Sequence, residues 1–213
     1  MQEPIVVTGL GAVSPLGAGV ATNWKRLIAG QSGIGQNTRF DTQGWKCTIA
    51  GLVPTRAEDP EGFDPEVAMD PKDLRRTDLF IHYAMAAAQE ALDQAGWHPE
   101  SFEERARTAT IVGTGVGGVP AITGAAETVK TLGVRRLSPF VVPSFLPNLA
   151  AGQVSIRFGF HGPAGAPVTA CAASAQAIGD ALRMIRTGEV DIALCGGTEG
   201  CVDPVAIGGF TAA

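Results

Sequence analysis

The sequence predicts an α/β fold in which a parallel or mixed sheet is covered by helices. Short apolar runs rich in Val and Ile alternate along the chain with segments of helical periodicity. These runs are apolar at nearly every position, which is typical of strands buried on both faces. With 213 residues and a 45% hydrophobic composition, the chain has enough apolar material for one sizeable core.

The first half of the chain contains two predicted strands and two predicted helices. Gly9, Gly30 and Gly96 follow three of these elements, as expected for residues that end a strand or a helix. Residues 31–72 have no steady period, so we expect a partly structured excursion over one face. The predicted elements are a strand at 5–8, a helix at 21–29, a helix at 74–95 and a strand at 109–112.

The second half continues the alternation of strand and helix. Pro147 is expected in the first turn of a helix, where its missing N–H costs little. The helix after Cys171 has an apolar stripe at Ala175, Ile178, Leu182 and Ile185. The predicted elements are a helix at 144–158, a strand at 167–170, a helix from 172 to Gly188, a strand at 190–195 and a fifth strand shortly before Gly209.

Composition excludes several classes of function. The net charge of −5 argues against nucleic-acid binding, which needs a basic face. No apolar run approaches the ~20 residues of a membrane span, and the first residues lack the pattern of a signal peptide. We therefore expect a cytoplasmic protein that binds neither nucleic acid nor membrane.

The four cysteines predict free thiols. None forms a CxxC pair, and no histidine lies near one at the spacing of metal ligands. In a reducing compartment they should not form disulfides. We expect no metal and no cofactor at Cys47, Cys171, Cys195 or Cys201.

Cys171 has the sequence context of a reactive cysteine. It lies where a buried strand turns into a helix, so unpaired N–H groups and the helix dipole would stabilise its thiolate. Small neighbours leave room for a substrate, and the backbone N–H of Cys171 could bind an oxyanion. The alternative interpretation is a small buried hydrophobic residue, the usual role of a free cysteine.

Two glycine-rich segments resemble nucleotide-binding motifs only superficially. Residues 9–14 follow a strand as a G-x-G-x-x-G fingerprint should, but Ser14 replaces the third glycine and Pro15 follows it. Residues 113–118 lack the Lys-Ser/Thr ending of a phosphate-binding P-loop. Their glycines instead favour close backbone approach beside a pocket.

Several spaced motifs, read in order, carry a resemblance to a known family. The nucleophile segment at 168–174 is followed by Gly196-Gly197-Thr198-Glu199, and an N-terminal signature occupies residues 7–17. Further matching motifs lie at 113–118, 138–140 and 208–210. Together they cover nearly the whole chain, which resembles the β-ketoacyl synthases, the elongating condensing enzymes of fatty-acid and polyketide synthesis.

The resemblance implies a thiolase-like layered sandwich made of two duplicated halves. Residues 1–213 would form the N-terminal half, with one five-stranded mixed sheet and packed helices. A complete member of the family is roughly twice as long. Residues 138–158 would pack near the two-fold axis of a homodimer, although Phe145 and Pro147 depart from the usual pattern.

The resemblance also implies a reaction and its residues. Cys171 would take an acyl chain from acyl-carrier protein and condense it with malonyl-carrier protein after loss of carbon dioxide. The acyl pocket would be lined by Val116, Cys201, Ala206 and Phe210, and Val141 would reach the pocket of the partner subunit. Two catalytic histidines of the family belong to the half that this chain does not match.

Two classes of function remain open from the sequence. An acyltransferase is favoured by Cys171, whereas the length favours a non-catalytic half-protein that acts as a binding or assembly partner. His82 is expected on a partly exposed helix face, His98 in a turn and His161 in a loop. Since none of them matches a catalytic histidine, we expect residues 1–213 alone to be inactive in condensation.

Overall fold

A computed structural model describes residues 4–213 of the chain. Strands and helices alternate, and 3₁₀ turns at Pro65–Val67, Val134–Arg136 and Ala170–Ala172 connect some of them. The strands are β1 (Val13–Ser14), β2 (Gly17–Ala18), β3 (Ile34–Gln36), β4 (Ile49–Gly51), β5 (Thr108–Gly113), β6 (Ala164–Gly165) and β7 (Ile192–Gly197). The helices are α1 (Val20–Ile28), α2 (Pro71–Leu74), α3 (Leu79–Ala95), α4 (Phe102–Ala106), α5 (Val119–Leu132), α6 (Val141–Phe145), α7 (Leu149–Phe158), α8 (Ala173–Arg186) and α9 (Pro204–Ala212).

The central sheet of the described residues has three strands in the order β6-β5-β7. Both pairings are parallel, and β5, in the middle, is buried along its whole length. β5 and β7 pair over their full length, so that Gly113 at the end of β5 lies opposite Gly197 at the end of β7. The carboxyl ends of these strands therefore share one edge of the sheet.

Helices cover both faces of this sheet. Ala109 and Ile111 of β5 pack with Ala177 of α8, whereas Val112 packs with α3 and α7 on the opposite face. This division follows the alternation of side chains along a strand. The α/β class that the sequence predicted is confirmed.

The packing of α8 differs from the apolar stripe that its sequence predicts. Its buried residues are Ala173, Ala177 and Ala181, while Ile178 of the predicted stripe is 54% exposed. The reason is the closeness of α8 to the sheet: a Cβ atom added to Gly113 would lie 2.6 Å from the carbonyl oxygen of Ala173. Only small side chains fit at such a contact, so Ala173 and Ala177 face the strands there, whereas Met184 and Ile185 pack against the same core further along the helix.

The expected five-stranded mixed sheet is not formed within residues 4–213, where two small antiparallel pairs, β1-β2 and β3-β4, lie apart from the central sheet. Residues 5–8, predicted as a strand, have no strand partner among the described residues, and Val7 is 78% exposed. The chain just after them lies instead on α3, where Gln94 accepts a hydrogen bond from the N–H of Leu10 at 2.6 Å. The strand expected at 167–170 is not formed: β6 lies before it, and Ala170 already belongs to a 3₁₀ turn, although the Pro167 carbonyl accepts from the N–H of Thr114.

Several predicted helix bounds also need correction. The helix expected at 144–158 is two helices, α6 and α7, because Pro147 restricts Leu146 to an extended backbone with ψ 129°. The helix expected from residue 74 begins at Leu79, and α2 precedes it as a separate turn. The fifth strand expected before Gly209 is the helix α9, which Asp203 caps by accepting from the N–H of Val205 at 2.8 Å.

Residues 31–72 contain the β3-β4 hairpin, a 3₁₀ turn and the beginning of α2. A paired contact attaches this segment to α1: the guanidinium of Arg26 donates to both carboxylate oxygens of Asp59, at 2.6 and 2.9 Å. Such a two-bond geometry fixes orientation as well as distance.

Candidate active site

Three chain segments meet at the carboxyl edge of the central sheet. They are residues 114–118 after β5, residues 166–172 after β6 and residues 198–203 after β7. The N–H of Thr114 donates to the carbonyl of Pro167 at 3.1 Å, and the N–H of Thr198 donates to that of Gly113 at 3.0 Å. Backbone hydrogen bonds thus join the three segments where α/β proteins commonly bind ligands.

Cys171 lies in the 3₁₀ turn Ala170–Ala172, directly before α8, and its side chain is exposed. The sequence predicted this position between a strand end and a helix start, and exposure does not fit the alternative of a buried hydrophobic residue. Among the non-glycine residues of the described range, Ala170 alone has a positive φ, of 53°. Backbone strain of this kind clusters at functional sites.

The other three thiols lie in different surroundings. Burial raises the pKa of Cys195, which lies within β7. Burial and the nearby Glu199 carboxylate raise the pKa of Cys201. The Cys47 thiol is partly buried and donates to the carbonyl of Ile49 at 3.5 Å. A raised pKa disfavours the thiolate, so Cys195 and Cys201 are poorer nucleophile candidates than the exposed Cys171.

Glu199 connects two of the three segments at the edge. Its Oε2 accepts hydrogen bonds from the Thr114 hydroxyl at 3.1 Å and from the N–H groups of Gly115 and Val116 at 2.9 and 3.1 Å. The sequence motif included Glu199 without giving it a role. The signal available was its position two residues beyond β7, at the same edge as the glycine-rich loop.

Two buried carboxylates hold the beginning of α5. Oδ2 of Asp78 accepts from the N–H of Ala121 at 2.9 Å, and Oδ2 of Asp203 accepts from the Thr123 hydroxyl at 2.8 Å. Burial raises the pKa of the Asp78 carboxyl, against the lowering effect of the backbone N–H groups it accepts from. Oδ1 of Asp78 is buried without a hydrogen-bond partner. The sequence analysis identified neither Asp78 nor Asp203.

Four of the residues expected to line an acyl pocket lie in the segments after β5 and β7 and on α9. Val116 follows Gly115, and a Cβ atom on Gly115 would lie 3.7 Å from the Cα of Ala170, next to Cys171. Ala206 and Phe210 are four residues apart on α9, and Phe210 is 79% exposed. Cys201 precedes α9, beside Glu199.

Val141 lies elsewhere, in a cavity of about 410 Å³ between the beginnings of α3 and α6. The same cavity is lined by Arg76, whose guanidinium lies 4.3 Å from the ring centre of Phe140, and by His82. Val141 is expected to reach the acyl pocket of a partner subunit and not the pocket of its own chain.

The three histidines contact residues outside the three edge segments. His82 is buried, which corrects the expectation of partial exposure, because α3 is covered on several sides at its start. Its Nε2 lies 3.0 Å from the Thr77 hydroxyl, and burial lowers its pKa. His98 lies 3.9 Å from Asp93, and the ring of His161 packs on that of Phe102 at 5.7 Å.

Metal and membrane sites receive no support from the described residues. Between residues 4 and 213, no group of three or more His, Cys, Asp and Glu side chains is arranged to hold a metal ion. In the same part of the chain, no helix combines the length and the apolar character needed to cross a bilayer.

The fold and the site are those of an α/β protein with an exposed thiol directly before a helix, a position from which a cysteine can act as a nucleophile. Comparison with known proteins identifies the family. Residues 2–213 match the family described as "Beta-ketoacyl synthase, N-terminal domain". The chain therefore belongs to the β-ketoacyl synthase family.

Individual relatives agree with this assignment. The chain is 44% identical to 3-oxoacyl-[acyl-carrier-protein] synthase 2 of Rhizobium meliloti (strain 1021), over 98% of this chain and 49% of the relative. It is 42% identical to the mitochondrial 3-oxoacyl-[acyl-carrier-protein] synthase of Arabidopsis thaliana, over 97% and 47%. The chain thus spans about half the length of these relatives.

Solved structures show the same fold. The ishigamide ketosynthase/chain length factor superposes with a TM-score of 0.84 at 31% identity, covering 97% of this chain and 50% of that chain. A β-ketoacyl synthase from Burkholderia phymatum STM815 gives a TM-score of 0.80 at 23% identity, covering 99% and 50%, and shows the fold alone.

Proposed function

We propose that the protein containing this chain is a β-ketoacyl-acyl-carrier-protein synthase in which Cys171 holds the growing acyl chain. The observation that carries this proposal is the exposed thiol at the start of α8, in a chain that matches the family over almost its whole length. Relatives named 3-oxoacyl-[acyl-carrier-protein] synthase support acyl-carrier protein as the partner and acyl and malonyl thioesters as substrates.

The proposed reaction has two stages. The Cys171 thiolate attacks the carbonyl carbon of an acyl thioester, and the thiol of the carrier protein leaves with a proton. The malonyl thioester then loses carbon dioxide, and its enolate attacks the acyl-Cys171 carbonyl. The new carbon–carbon bond gives a 3-oxoacyl thioester two carbons longer, and the Cys171 thiolate is released. Covalent capture divides one difficult step into two easier ones.

The first contribution of this chain is the nucleophile with its helix. The N-terminal N–H groups of α8 are not all used within the helix, and their dipole favours the thiolate. The N–H of Cys171 is suited to an oxyanion formed at the same carbon. Enolate stabilisation would come from the histidines that the resemblance places outside the region matched here.

We propose Val116, Cys201, Ala206 and Phe210 as pocket residues and Val141 as a residue that reaches the partner's pocket in a homodimer. The exposure of Val116 and Phe210 agrees with surfaces that are covered by substrate or by other parts of the protein. In the whole protein, the three strands β6, β5 and β7 would belong to the five-stranded sheet of a thiolase-like sandwich. Four free thiols favour a reducing compartment such as the cytoplasm.

Condensation assays on cysteine variants test the proposed function. With acyl- and malonyl-carrier protein as substrates, Cys171→Ala should abolish formation of the 3-oxoacyl product. The matched control is Cys195→Ala, which removes a partly buried thiol from β7 and should retain most of the activity. Full activity of Cys171→Ala would contradict the proposal, and absence of product with the parent protein would favour a non-catalytic binding or assembly role.

A further inference from the structure

The carboxylate of Glu199 reaches from the end of one strand to the loop after its neighbour. Because Gly113 and Gly197 lie opposite each other, the segments that follow them begin side by side. One oxygen of Glu199 then accepts from three donors in consecutive residues, Thr114, Gly115 and Val116. Hydrogen bonds to an ionised acceptor are about twice as strong as neutral ones, so this contact is a firm attachment.

The attached loop lies directly against the segment that carries Cys171. A Cβ atom on Gly115 would be 2.9 Å from Oε2 of Glu199 and 3.7 Å from the Cα of Ala170. Gly115 is therefore held between Glu199 on one side and the residue before Cys171 on the other. The bond from the Thr114 N–H to the Pro167 carbonyl ties the same loop to the same segment.

The position of Val116 is not fixed by the packing of its side chain. The side chain is 54% exposed, so burial contributes little to its position. Beyond Val116 the loop is fixed again, since the N–H of Gly118 donates to the carbonyl of Phe145 at 3.1 Å. Between these points, the N–H of Gly117 donates to the Thr114 hydroxyl at 3.2 Å within the loop, and the Glu199 carboxylate is the acceptor from another segment that holds the N–H of Val116.

We propose that Glu199 is a positioning residue for acyl selectivity: it holds the Val116 side chain at the wall of the acyl site beside Cys171. The inference rests on the proposed function, because selectivity has meaning only for an enzyme that binds acyl chains. Glu199 acts through Val116 and does not touch the acyl chain. Removing its carboxylate frees Val116 to move, so the difference between long and short acyl donors becomes smaller.

Amide hydrogen exchange and substrate selectivity test this inference together. In Glu199→Ala, exchange at the Gly115 and Val116 amides should accelerate by roughly tenfold or more, since bonds to a charged acceptor are lost. Glu199→Gln keeps a carbonyl oxygen and should give a smaller acceleration. The ratio of kcat/KM values for long and short acyl donors should change more in Glu199→Ala than in Glu199→Gln.

Glu90 provides the matched control, because its carboxylate also accepts two backbone bonds, from Ala12 at 2.9 Å and from Val20 at 2.7 Å. Glu90→Gln should speed exchange at those two amides and leave the selectivity ratio unchanged. A change of selectivity equal to that of Glu199→Gln would show a general loss of stability and overturn the inference.

A double-mutant cycle separates positioning from a structural role. If Glu199 acts through Val116, then Glu199→Gln should have no effect on selectivity once Val116→Ala is present. An undiminished effect in that background would overturn the inference, as would an unchanged ratio in Glu199→Gln with faster exchange at Val116. Neither result would affect the proposed function, which fails only if the parent protein does not condense or does so without Cys171.

Discussion

The backbone immediately before Cys171 is held in a conformation that L-residues rarely adopt. The φ of Ala170 is 53°, which costs an alanine about 1–2 kcal/mol relative to the right-handed region. Ala170→Gly should therefore raise the free energy of unfolding, by at most about 1 kcal/mol because glycine also gains freedom in the unfolded chain. Chemical denaturation measures the change.

The control is Ala175→Gly, within α8, where alanine is exposed and in regular helical conformation. Here glycine should lower the free energy of unfolding by about 0.5–1 kcal/mol. Equal losses at both positions would mean that the positive φ of Ala170 stores no strain.

The buried carboxyl of Asp78 should make the stability of the protein depend on pH. Burial raises the pKa of its carboxyl in the folded protein above the unfolded value, so the folded state holds its proton more tightly. Its contribution to stability is greatest at low pH and declines as pH rises through the folded pKa. Asp78→Asn removes this decline, while its amide oxygen can still accept from the N–H of Ala121.

Urea denaturation of both proteins across pH tests this sign. The variant should gain stability relative to the parent as pH rises from about 4, where a carboxyl of ordinary pKa is half ionised, and the gain should level off once the pH exceeds the raised pKa of the folded protein. A gain that grows as pH falls would contradict the raised pKa. The nearby Glu199 carboxylate, which also raises the pKa of Asp78, is unchanged in the comparison.

At the scale of elements, the contact between α8 and the sheet determines where Cys171 stands. Hydrophobic periodicity predicted the existence of α8 but placed its larger apolar residues toward the core. Periodicity does not report how closely two elements approach, and here glycine and alanine permit a short separation. Periodicity also failed to separate α6 from α7. The sequence placed Pro147 in the first turn of one helix, but Pro147 keeps Leu146 in an extended conformation, and the helix is interrupted there.

Gly197→Ala tests this close approach. A Cβ atom there would lie 2.5 Å from the Cβ of Ser174 in the first turn of α8. We expect a loss of ~1–3 kcal/mol from overpacking and a changed rate of Cys171 alkylation by iodoacetamide, because the start of the helix must shift.

The neighbouring Gly196 has open space around its Cα, with nothing within 4 Å of an added Cβ atom. Gly196→Ala should therefore stay within about 0.5 kcal/mol of the parent, as a substitution without new contacts usually does. If both variants lose the same stability, strand conformation and not helix approach explains the requirement for glycine.

At the scale of the whole molecule, the sequence predicted the α/β class, the place of Cys171 and the order of most elements. The sequence did not predict which strands pair with each other. Residues 5–8 have the composition of a buried strand, yet composition does not supply a neighbour, and the described structure leaves Val7 exposed. Buried acceptors such as Asp78 were missed because their partners are backbone groups distant in sequence, which no local pattern reveals.

We expect residues 1–213 alone not to condense acyl chains. Decarboxylation leaves an enolate that must meet positioned donors, and loss of one such donor typically costs ~100–1,000-fold in rate. His82, His98 and His161 contact Thr77, Asp93 and Phe102 instead. Incubation of the purified chain with acyl- and malonyl-carrier protein should give no 3-oxoacyl product, and turnover by a monodisperse preparation would contradict this expectation.

The most direct test of the central claim is to find where the acyl group resides. The protein containing this chain is incubated with an acyl-carrier-protein thioester in the absence of malonyl donor, digested at mildly acidic pH and analysed by tandem mass spectrometry. We predict a single acyl thioester on the peptide that contains Cys171, absent from Cys171→Ala. An acyl group on Cys47, Cys195 or Cys201, or an acylated Cys171→Ala variant, would contradict the account.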